Sequence, residues 1–373
     1  MPLYRNDRPV AMTGAFVGRE LLLRSLIRGL DVGRSFSIIG GPGMGRTSVL
    51  LRIREVLRER WVRQPQAANL IPVYLDAQQW PPDVAGSVEN LRSRLRDALF
   101  DPKILGADTP TQPPVTRETR SSDPLASFPG ELRRLANALR EVAAWSPYVL
   151  LVDNIDPLTE PDRVGLLEML VAAVRSDDPG APQAMVVSGG RLLRESLRER
   201  ASPLKGVRTL SLHALMDTEA RSLIRRGFPR AKEHDIQFVL ASSGNHPWVL
   251  TSLLGALEKR RGGAEFRSVV WGERARLAPL WERIWAELDM RRRVTYRGAY
   301  AAPEHALLQY AIDYRSPITI RTAERELAIR PLKEYADLLE YIGVAQARLE
   351  GDSPTLQVSC ELFNQWYRER IKN

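Results

Sequence analysis

A glycine-rich stretch near the start of the chain contains the residue types that bind phosphate. The pattern G-x-x-x-x-G-[KR]-[ST] begins at Gly40 and lies between an apolar run and a helical pattern, which is the context such a loop requires. Glycines let backbone N–H groups surround a phosphate without Cβ clashes, and the following helix contributes its positive end. The residues predicted to bind phosphate are Gly40, Gly41, Pro42, Gly43, Met44, Gly45, Arg46, Thr47 and Ser48.

The loop departs from the usual pattern at Arg46, where lysine is common. Lysine is a compact point charge, whereas the arginine side chain is longer, planar and forked. Phosphate binding depends largely on backbone amides, so we expect binding to survive this change. Transfer of a phosphoryl group depends on the placement of charge around it, so we expect hydrolysis to be weak or slow.

A second motif, YVLLVDNIDPL, supplies the acidic residues that such a site needs. Its apolar strand ends at Asp153, which together with the hydroxyl of Thr47 is predicted to hold Mg²⁺. The next residue, where many ATPases with such an acidic strand have glutamate, is Asn154, and an amide cannot act as a general base. Asp156 is the remaining candidate for polarising a water molecule, and it could equally cap the helix predicted over 157–176.

Strand-like apolar runs alternate with helical patterns over the first 212 residues. Several runs are apolar throughout, as expected of strands that helices bury on both faces. The alternation predicts a parallel α/β sheet with crossover helices. The predicted strands are 35–39, 70–77, 148–153, 184–189 and 207–212, and the predicted helices are 46–61, 86–100, 130–145, 161–176 and 190–200.

Changes of pattern divide the chain into four parts. Residues 1–14 form an N-terminal tail, and residues 15–212 form an α/β core of the P-loop NTPase type. Within that core, the Pro- and Ser-rich segment 101–129 is expected to be an irregular insertion. Residues 213–298 are predicted to form a helical lid with linker helices. Three helices and a hairpin over 299–373 predict a winged helix.

Six short motifs, taken in order, resemble those of STAND and related AAA+ ATPases. FVGRE (Phe16–Glu20) precedes the glycine loop, and a D-x-x-D sequence ends the acidic strand. VVSGGR (Val186–Arg191) is similar to the sensor strand of that family, SPLKG (Ser202–Gly206) to the segment before its lid, and SGNHPWVL (Ser243–Leu250) to its lid motif G-x-P. The resemblance spans about residues 15–372 and implies a nucleotide site between core and lid, followed by a winged helix.

The resemblance also implies a role for each matching residue. Arg19 would lie over the nucleotide base, and Pro247 of the lid would contact the nucleotide. Ser188 and Arg191 would face the γ-phosphate. The cofactors implied are ATP or ADP and Mg²⁺. The predicted catalytic residues are Asp153, Asp156 and Arg191.

The net charge of +9 is unevenly distributed along the chain. Residues 301–373 carry nine Lys and Arg against eleven Asp and Glu, so the predicted winged helix is a poor match for the DNA polyanion. Residues 258–297 carry eleven basic against six acidic residues. DNA binding is therefore not favoured through the winged helix and stays an alternative for the basic core, as does contact with an acidic protein.

Composition limits the classes of protein further. The hydrophobic content of 44% and the charged content of 27% are those of a globular protein. No apolar run approaches the roughly 18 residues of a membrane span, and no secretory signal is recognisable, so we expect a cytoplasmic protein without membrane contact. One cysteine and four histidines exclude an internal disulfide framework and give no zinc-site spacing.

Three functions are compatible with these observations. The favoured one is a STAND-like switch, in which the bound ATP or ADP sets the position of the winged helix. Its output would act in trans through a protein partner, with self-assembly as a further expectation. The alternatives are a DNA-associated AAA+ ATPase, similar to replication initiators or transposition regulators, and a catalytically inactive, nucleotide-stabilised subunit of a larger complex.

Overall fold

The computed structural model describes a core, a helical region and a C-terminal unit. The predicted tail 1–14, apart from Tyr4, and most of the predicted insertion 101–129 lie outside the described residues. Within the described ranges, no helix combines the length and the apolar character needed to cross a membrane. The described residues are 4, 16–63, 69–101, 123–142, 147–178, 180–260, 266–288, 294–296, 299–314, 317–350 and 353–370.

A parallel five-stranded sheet forms the centre of the core, which confirms the predicted α/β class. Its order is β2-β3-β4-β1-β5. Every residue of β1, β3 and β4 is buried, because helices cover both faces of the sheet. The strands are β1 Phe36–Ile39, β2 Ile71–Asp76, β3 Tyr148–Asp153, β4 Ala184–Gly189 and β5 Arg208–Ser211.

The core helices separate into two apolar clusters. Leu26 and Leu50, on α1 and α2, share one cluster with Phe36, whereas Leu91 and Leu170, on α3 and α5, belong to the other. No pattern in the sequence was interpreted as α1. The core helices are α1 Glu20–Asp31, α2 Arg46–Arg63, α3 Val84–Leu99, α4 Pro124–Val142, α5 Val164–Val174 and α6 Arg191–Ser196.

The start of α4 corrects one boundary of the predicted insertion. The segment 101–129 was expected to be irregular to its end, but the helix begins at Pro124. Proline suits the first turn of a helix, and Asp123 accepts the N–H groups of Leu125 and Ala126. Phe128 is buried in the core, so this turn is held by packing as well as by capping.

Among the described residues, five helices follow the sheet before the C-terminal unit, in the region predicted to be a lid, and we call this region the lid. The sequence predicts a single helical stretch over 264–293, but the structure has two helices there and a strand from Val294. That strand, β6 Val294–Tyr296, pairs antiparallel with β7 Ala299–Ala301, so a hairpin lies across the predicted boundary at residues 298 and 299. The helices are α7 Asp217–Gly227, α8 Glu233–Ser243, α9 Pro247–Lys259, α10 Phe266–Gly272 and α11 Arg274–Ala286.

The C-terminal unit has the element order of the predicted winged helix. Three helices precede a hairpin, and β8 adds to the hairpin through β10. The predicted turn at Gly351–Asp352 lies outside the described residues. The elements are α12 Pro303–Tyr314, β8 Ile318–Thr319, α13 Ile320–Leu327, α14 Lys333–Tyr341, β9 Ala345–Glu350, β10 Ser353–Val358 and α15 Glu361–Arg370.

An aromatic cluster joins the lid to the C-terminal unit. The four-residue spacing of Trp281 and Trp285 predicts a core or docking stripe, and the structure confirms it. The ring of Trp281 lies 5.4 Å from that of Phe363, and the ring of Trp285 lies 5.6 Å from that of Tyr367. The single cysteine, Cys360, is buried in the same interface, where its thiol donates to the carbonyl of Ser242 at 3.3 Å.

Candidate functional site

The glycine loop connects β1 to α2, which is the context predicted from the sequence. Gly43 and Gly45 have φ angles of 74° and 83°, in the left-handed region that favours glycine. Met44, between them, is fully buried and fixes the loop to the core. Thr47 and Ser48 lie in the first turn of α2 and are partly exposed. The loop therefore presents backbone N–H groups and two hydroxyl groups at a helix N-terminus.

Arg19 connects the loop to the start of the lid. Its Nη1 donates to the carbonyl of Met44 at 2.6 Å, and its Nη2 donates to the carbonyl of His213 at 2.9 Å. Its backbone N–H donates to Glu219 at 2.6 Å. Burial lowers the pKa of Arg19 to about 10, against the opposing effect of Glu219, so the side chain stays charged at neutral pH. The structure thus places Arg19 against the loop itself.

The side chain of Arg46 turns back onto its own loop. Its Nη1 donates to the carbonyl of Gly40, and the hydroxyl of Tyr341 donates to the same oxygen at 3.1 Å. Burial raises the pKa of the nearby Glu287, and the positive charges of Arg46 and Arg191 offset part of this increase. The Arg46 guanidinium thus lies between the glycine loop and two residues from much later in the chain, Glu287 and Tyr341.

Asp153 lies at the carboxyl end of β3 and is fully buried. The hydroxyl of Tyr74 donates to its Oδ2 at 2.9 Å, and the hydroxyl of Ser188 donates to its Oδ1. The sequence predicted Asp153 and Ser188 from separate motifs, and the structure brings them together. Burial, followed by the charge of Asp153, raises the pKa of Tyr74, so this hydroxyl remains a donor.

Asp76 is a second carboxylate at this edge and was not predicted from the sequence. It is paired in register with Asp153, and its Oδ1 accepts the side-chain amide of Asn154 at 3.0 Å. Asn154 has a φ of 54°, a left-handed conformation that asparagine tolerates better than most residues. The signal was present, because the predicted strand LIPVYLDA also carries an acid near its carboxyl end.

The oxygen groups near Asp153 fit a magnesium ion better than a transition metal. Mg²⁺ prefers carboxylate and hydroxyl oxygens and is usually completed by water and substrate phosphate. In the portion of the chain that the structure describes, no three His, Cys, Asp or Glu side chains cluster as a metal site. An ion held by Asp153 and Thr47 would therefore depend on phosphate oxygens for the rest of its coordination.

Asp156 caps a helix other than the one predicted. Its carboxylate accepts the N–H of Gly190 at 2.7 and 2.9 Å and the N–H of Leu193 at 3.1 Å, at the start of α6. Asp156 itself begins a short 3₁₀ turn, Asp156–Thr159. It therefore holds the segment that carries Arg191, whose Nε donates to Glu195 at 2.8 Å. This capping corrects the alternative of a cap for 157–176.

The C-terminal unit covers the outer side of the loop. The N–H of Gly41 donates to the carbonyl of Tyr341 at 3.2 Å. A Cβ atom on Gly41 would lie 2.7 Å from the Cα of Ile342, so only glycine allows this approach. Burial raises the pKa of Tyr341, so its hydroxyl donates to Gly40 at neutral pH. This contact was not predicted from the sequence.

The lid reaches the loop through His246, which precedes Pro247 at the first position of α9. The Nε2 of His246 lies 3.1 Å from the carbonyl of Pro42. Burial lowers the pKa of this fully buried imidazole to about 4, so it is neutral and its Nε2–H is the donor. A Cβ atom on Gly43 would lie 2.8 Å from this ring. Lid and C-terminal unit thus meet over the loop.

Comparisons with solved structures identify the fold. A Walker-type ATPase of Pyrococcus abyssi is similar, with a TM-score of 0.65 and 16% identity over 98% of this chain and 99% of that chain. The ORC1 protein of Aeropyrum pernix in complex with DNA matches with a TM-score of 0.45 and 15% identity, over 96% and 93% of the two chains. No family model and no curated protein matches the chain. The fold is that of a P-loop NTPase.

Proposed function

We propose that this chain is a nucleotide-binding switch of the STAND type, in which ATP or ADP at the glycine loop controls the position of the C-terminal unit. The observation that carries the proposal is the hydrogen bond from the Gly41 N–H to the carbonyl of Tyr341. It brings a polar group of the C-terminal unit onto the loop where phosphate would bind. Nucleotide and C-terminal unit would then compete for one surface.

The competition gives nucleotide a way to shift a conformational equilibrium. A ligand favours the arrangement to which it binds more tightly, by the ratio of its two affinities. Arg46 is the residue through which phosphate would act, because its guanidinium shares the Gly40 carbonyl with the Tyr341 hydroxyl. A phosphate that attracts Arg46 would remove this shared contact and release the C-terminal unit.

Weak or slow hydrolysis is part of the proposal. Asp156 accepts backbone N–H groups, and the amide of Asn154 is engaged by Asp76. These two residues follow the acidic strand where a water-activating base would be expected. Mg²⁺, when held by Thr47 and Asp153, would supply charge neutralisation at the phosphates. The chain's own residues would position the nucleotide and report its presence.

The output of the switch would be a contact with a partner protein or with another copy of the chain. Movement of the C-terminal unit would uncover Tyr341 and the loop, which now cover each other.

The basic residues over 258–297 motivate a second candidate, a DNA-associated ATPase, and duplex binding that strengthens with ATP and weakens with salt would favour it. The altered residues Arg46 and Asn154 motivate a third, a nucleotide-stabilised subunit without turnover.

Gly41→Ala tests the switch directly. The added methyl group would meet the backbone of Ile342, so the C-terminal unit must move away from the loop. We expect this variant without nucleotide to show the trypsin cleavage pattern that the wild type shows with ATP. Gly130→Ala is the matched control, because a Cβ atom at Gly130 has nothing within 4 Å.

Fluorescent ATP and ADP analogues measure binding to the same proteins. Gly41 is itself predicted to bind phosphate, so the affinity of Gly41→Ala reports on the loop as well as on the covering contact, and the wild type and Gly130→Ala carry the test of binding. The proposal would be rejected if the wild type bound neither nucleotide, or if its cleavage pattern and mass in solution were unchanged by nucleotide. Turnover that is fast and lost in Asp153→Ala would exclude the inactive-subunit alternative.

A further inference from the structure

The outer side of β5 is an open sheet edge. In the described part of the chain, β5 pairs with β1 alone. Just beyond the strand, the N–H of Leu212 donates to Ile39 at 2.7 Å, toward β1. Successive residues of a strand direct their N–H and C=O groups to alternate sides, so those of Thr209 and Ser211 point outward. Both residues are exposed, which leaves the edge accessible for pairing.

A basic depression of about 350 Å³ lies beside this edge, between α1 and the starts of β1 and β5. Of the described residues that line it, none is acidic. The acidic residues of α1 are engaged elsewhere, since Glu20 accepts the N–H of Gly18 at 3.2 Å and Asp31 pairs with Arg60 at 2.9 Å. The basic residues that line it are Arg24, Arg28, Arg34 and Arg208, all of them exposed.

Exposed apolar side chains accompany the arginines. Leu21 is 73% exposed and Val32 is 66% exposed, and both line the depression. A nucleic acid would use the arginines and the outward N–H groups only as contacts to phosphate. A peptide with acidic and apolar residues would use the charge, the apolar surface and the open strand edge together. The combination therefore favours a protein segment over a nucleic acid.

We propose that β5 and the adjoining arginine-lined depression form a docking site for an extended, acidic segment of a partner protein. The segment would add to the sheet beside Thr209 and Ser211, with carboxylates toward Arg24 and Arg28 and apolar side chains against Leu21. The arginine-lined depression lies at the opposite end of β1 from the glycine loop, because Phe36, the first residue of that strand, lines it. The strand edge runs from there to Ser211, which pairs with Ile39 at the loop end of β1.

Fluorescence anisotropy with a labelled ten-residue peptide of alternating Glu and Val tests the proposal. We expect the wild type to bind this peptide, and the double variant Arg24→Glu, Arg28→Glu to bind at least about tenfold more weakly. Thr209→Pro removes an outward N–H group that does not pair with β1. An edge strand tolerates proline at such a position, and we expect the variant to weaken peptide binding by a similar factor. Thr209→Ala keeps the N–H and should bind within about twofold of the wild type.

Controls separate this site from general basic attraction. Arg94→Glu changes an exposed arginine on α3 and should leave peptide binding unchanged. Thermal unfolding reports whether each variant is folded, and Ser211→Pro replaces Thr209→Pro if the latter does not fold. Absence of peptide binding at low salt would overturn the proposal, as would equal binding to the proline variant. The contrary result is a 20-base-pair DNA duplex that binds more tightly than the peptide. If only the arginine variants weakened that binding, the surface would be a nucleic-acid surface.

Discussion

Tyr341→Phe removes one hydroxyl group from the contact between the C-terminal unit and the glycine loop. That hydroxyl donates to the carbonyl of Gly40 at 3.1 Å and is buried. The aromatic ring remains, so the guanidinium of Arg194, 5.0 Å from its centroid, keeps its position. The variant therefore tests the hydrogen bond without creating a cavity the size of a side chain.

The expected effect is small but measurable. Arg46 still donates to the carbonyl of Gly40, so the loss leaves no unpaired acceptor and costs about 1 kcal/mol. This shifts the equilibrium away from the covered loop about fivefold. Suppose that nucleotide binds the uncovered loop and that most molecules have the covered loop. The apparent Kd of the variant for ADP then falls by the same factor.

Tyr367→Phe is the matched control, because its buried hydroxyl donates to the carbonyl of His305 at 3.3 Å, away from the loop. Isothermal titration with ADP and ATP, together with denaturant unfolding, should be carried out on both variants. We expect both to lose stability, but only Tyr341→Phe to bind nucleotide more tightly. Unchanged or weaker nucleotide binding in Tyr341→Phe would refute the idea that Tyr341 and phosphate compete.

Three further predictions concern the loop and its supports. Arg46→Lys should preserve nucleotide binding and raise the rate of phosphate release, because lysine presents a compact charge to the phosphates. Burial lowers the pKa of His246 to about 4, so the unfolded chain binds more protons than the folded chain below about pH 6.5. In urea unfolding, the contribution of His246 to the free energy of unfolding should therefore be constant above about pH 6.5 and should decrease as the pH falls toward 4. Asp156→Ala removes the cap of α6 and should lower the free energy of unfolding by about 1 kcal/mol in the same assay.

Each of these predictions has a contradicting outcome. Loss of nucleotide binding in Arg46→Lys would mean that the loop needs the arginine fork. A pH dependence that is identical in His246→Gln would assign the titration to another group. Asp156→Asn keeps an acceptor oxygen and should lose less stability than Asp156→Ala, so equal losses would argue against capping as the cause.

Local patterns were sufficient to predict the sheet and the glycine loop of the core, but not the helix α1. The five strands and the glycine loop follow from apolar runs, glycine spacing and strand–helix alternation, all of which depend on neighbours in sequence. Asp153 was predicted from the acidic strand and Ser188 from the resemblance to a sensor strand, and the structure brings them together because the carboxyl ends of adjacent parallel strands meet at one edge. The same rule identifies Asp76, because the strand that it ends lies beside β3.

Contacts between distant segments were not predictable in this way. Tyr341 lies 301 residues from Gly40, and nothing in the sequence near either residue indicates that they meet. A cap was one of two interpretations of Asp156, and it was assigned to the helix over 157–176. The helix that Asp156 caps lies beyond an intervening helix and strand, so its partners Gly190 and Leu193 were missed. Such pairings depend on how the elements pack, and a single sequence does not record packing.

The buried Cys360 gives the proposed switch a natural chemical reporter. Its thiol lies where the lid meets the C-terminal unit, beside the aromatic cluster, and burial raises its pKa to about 12. A thiol reagent can modify it only after these two parts separate. If nucleotide moves both parts together away from the loop, labelling stays slow with ATP. If the C-terminal unit leaves the lid, labelling accelerates, so one cysteine distinguishes the two hinges without any added mutation.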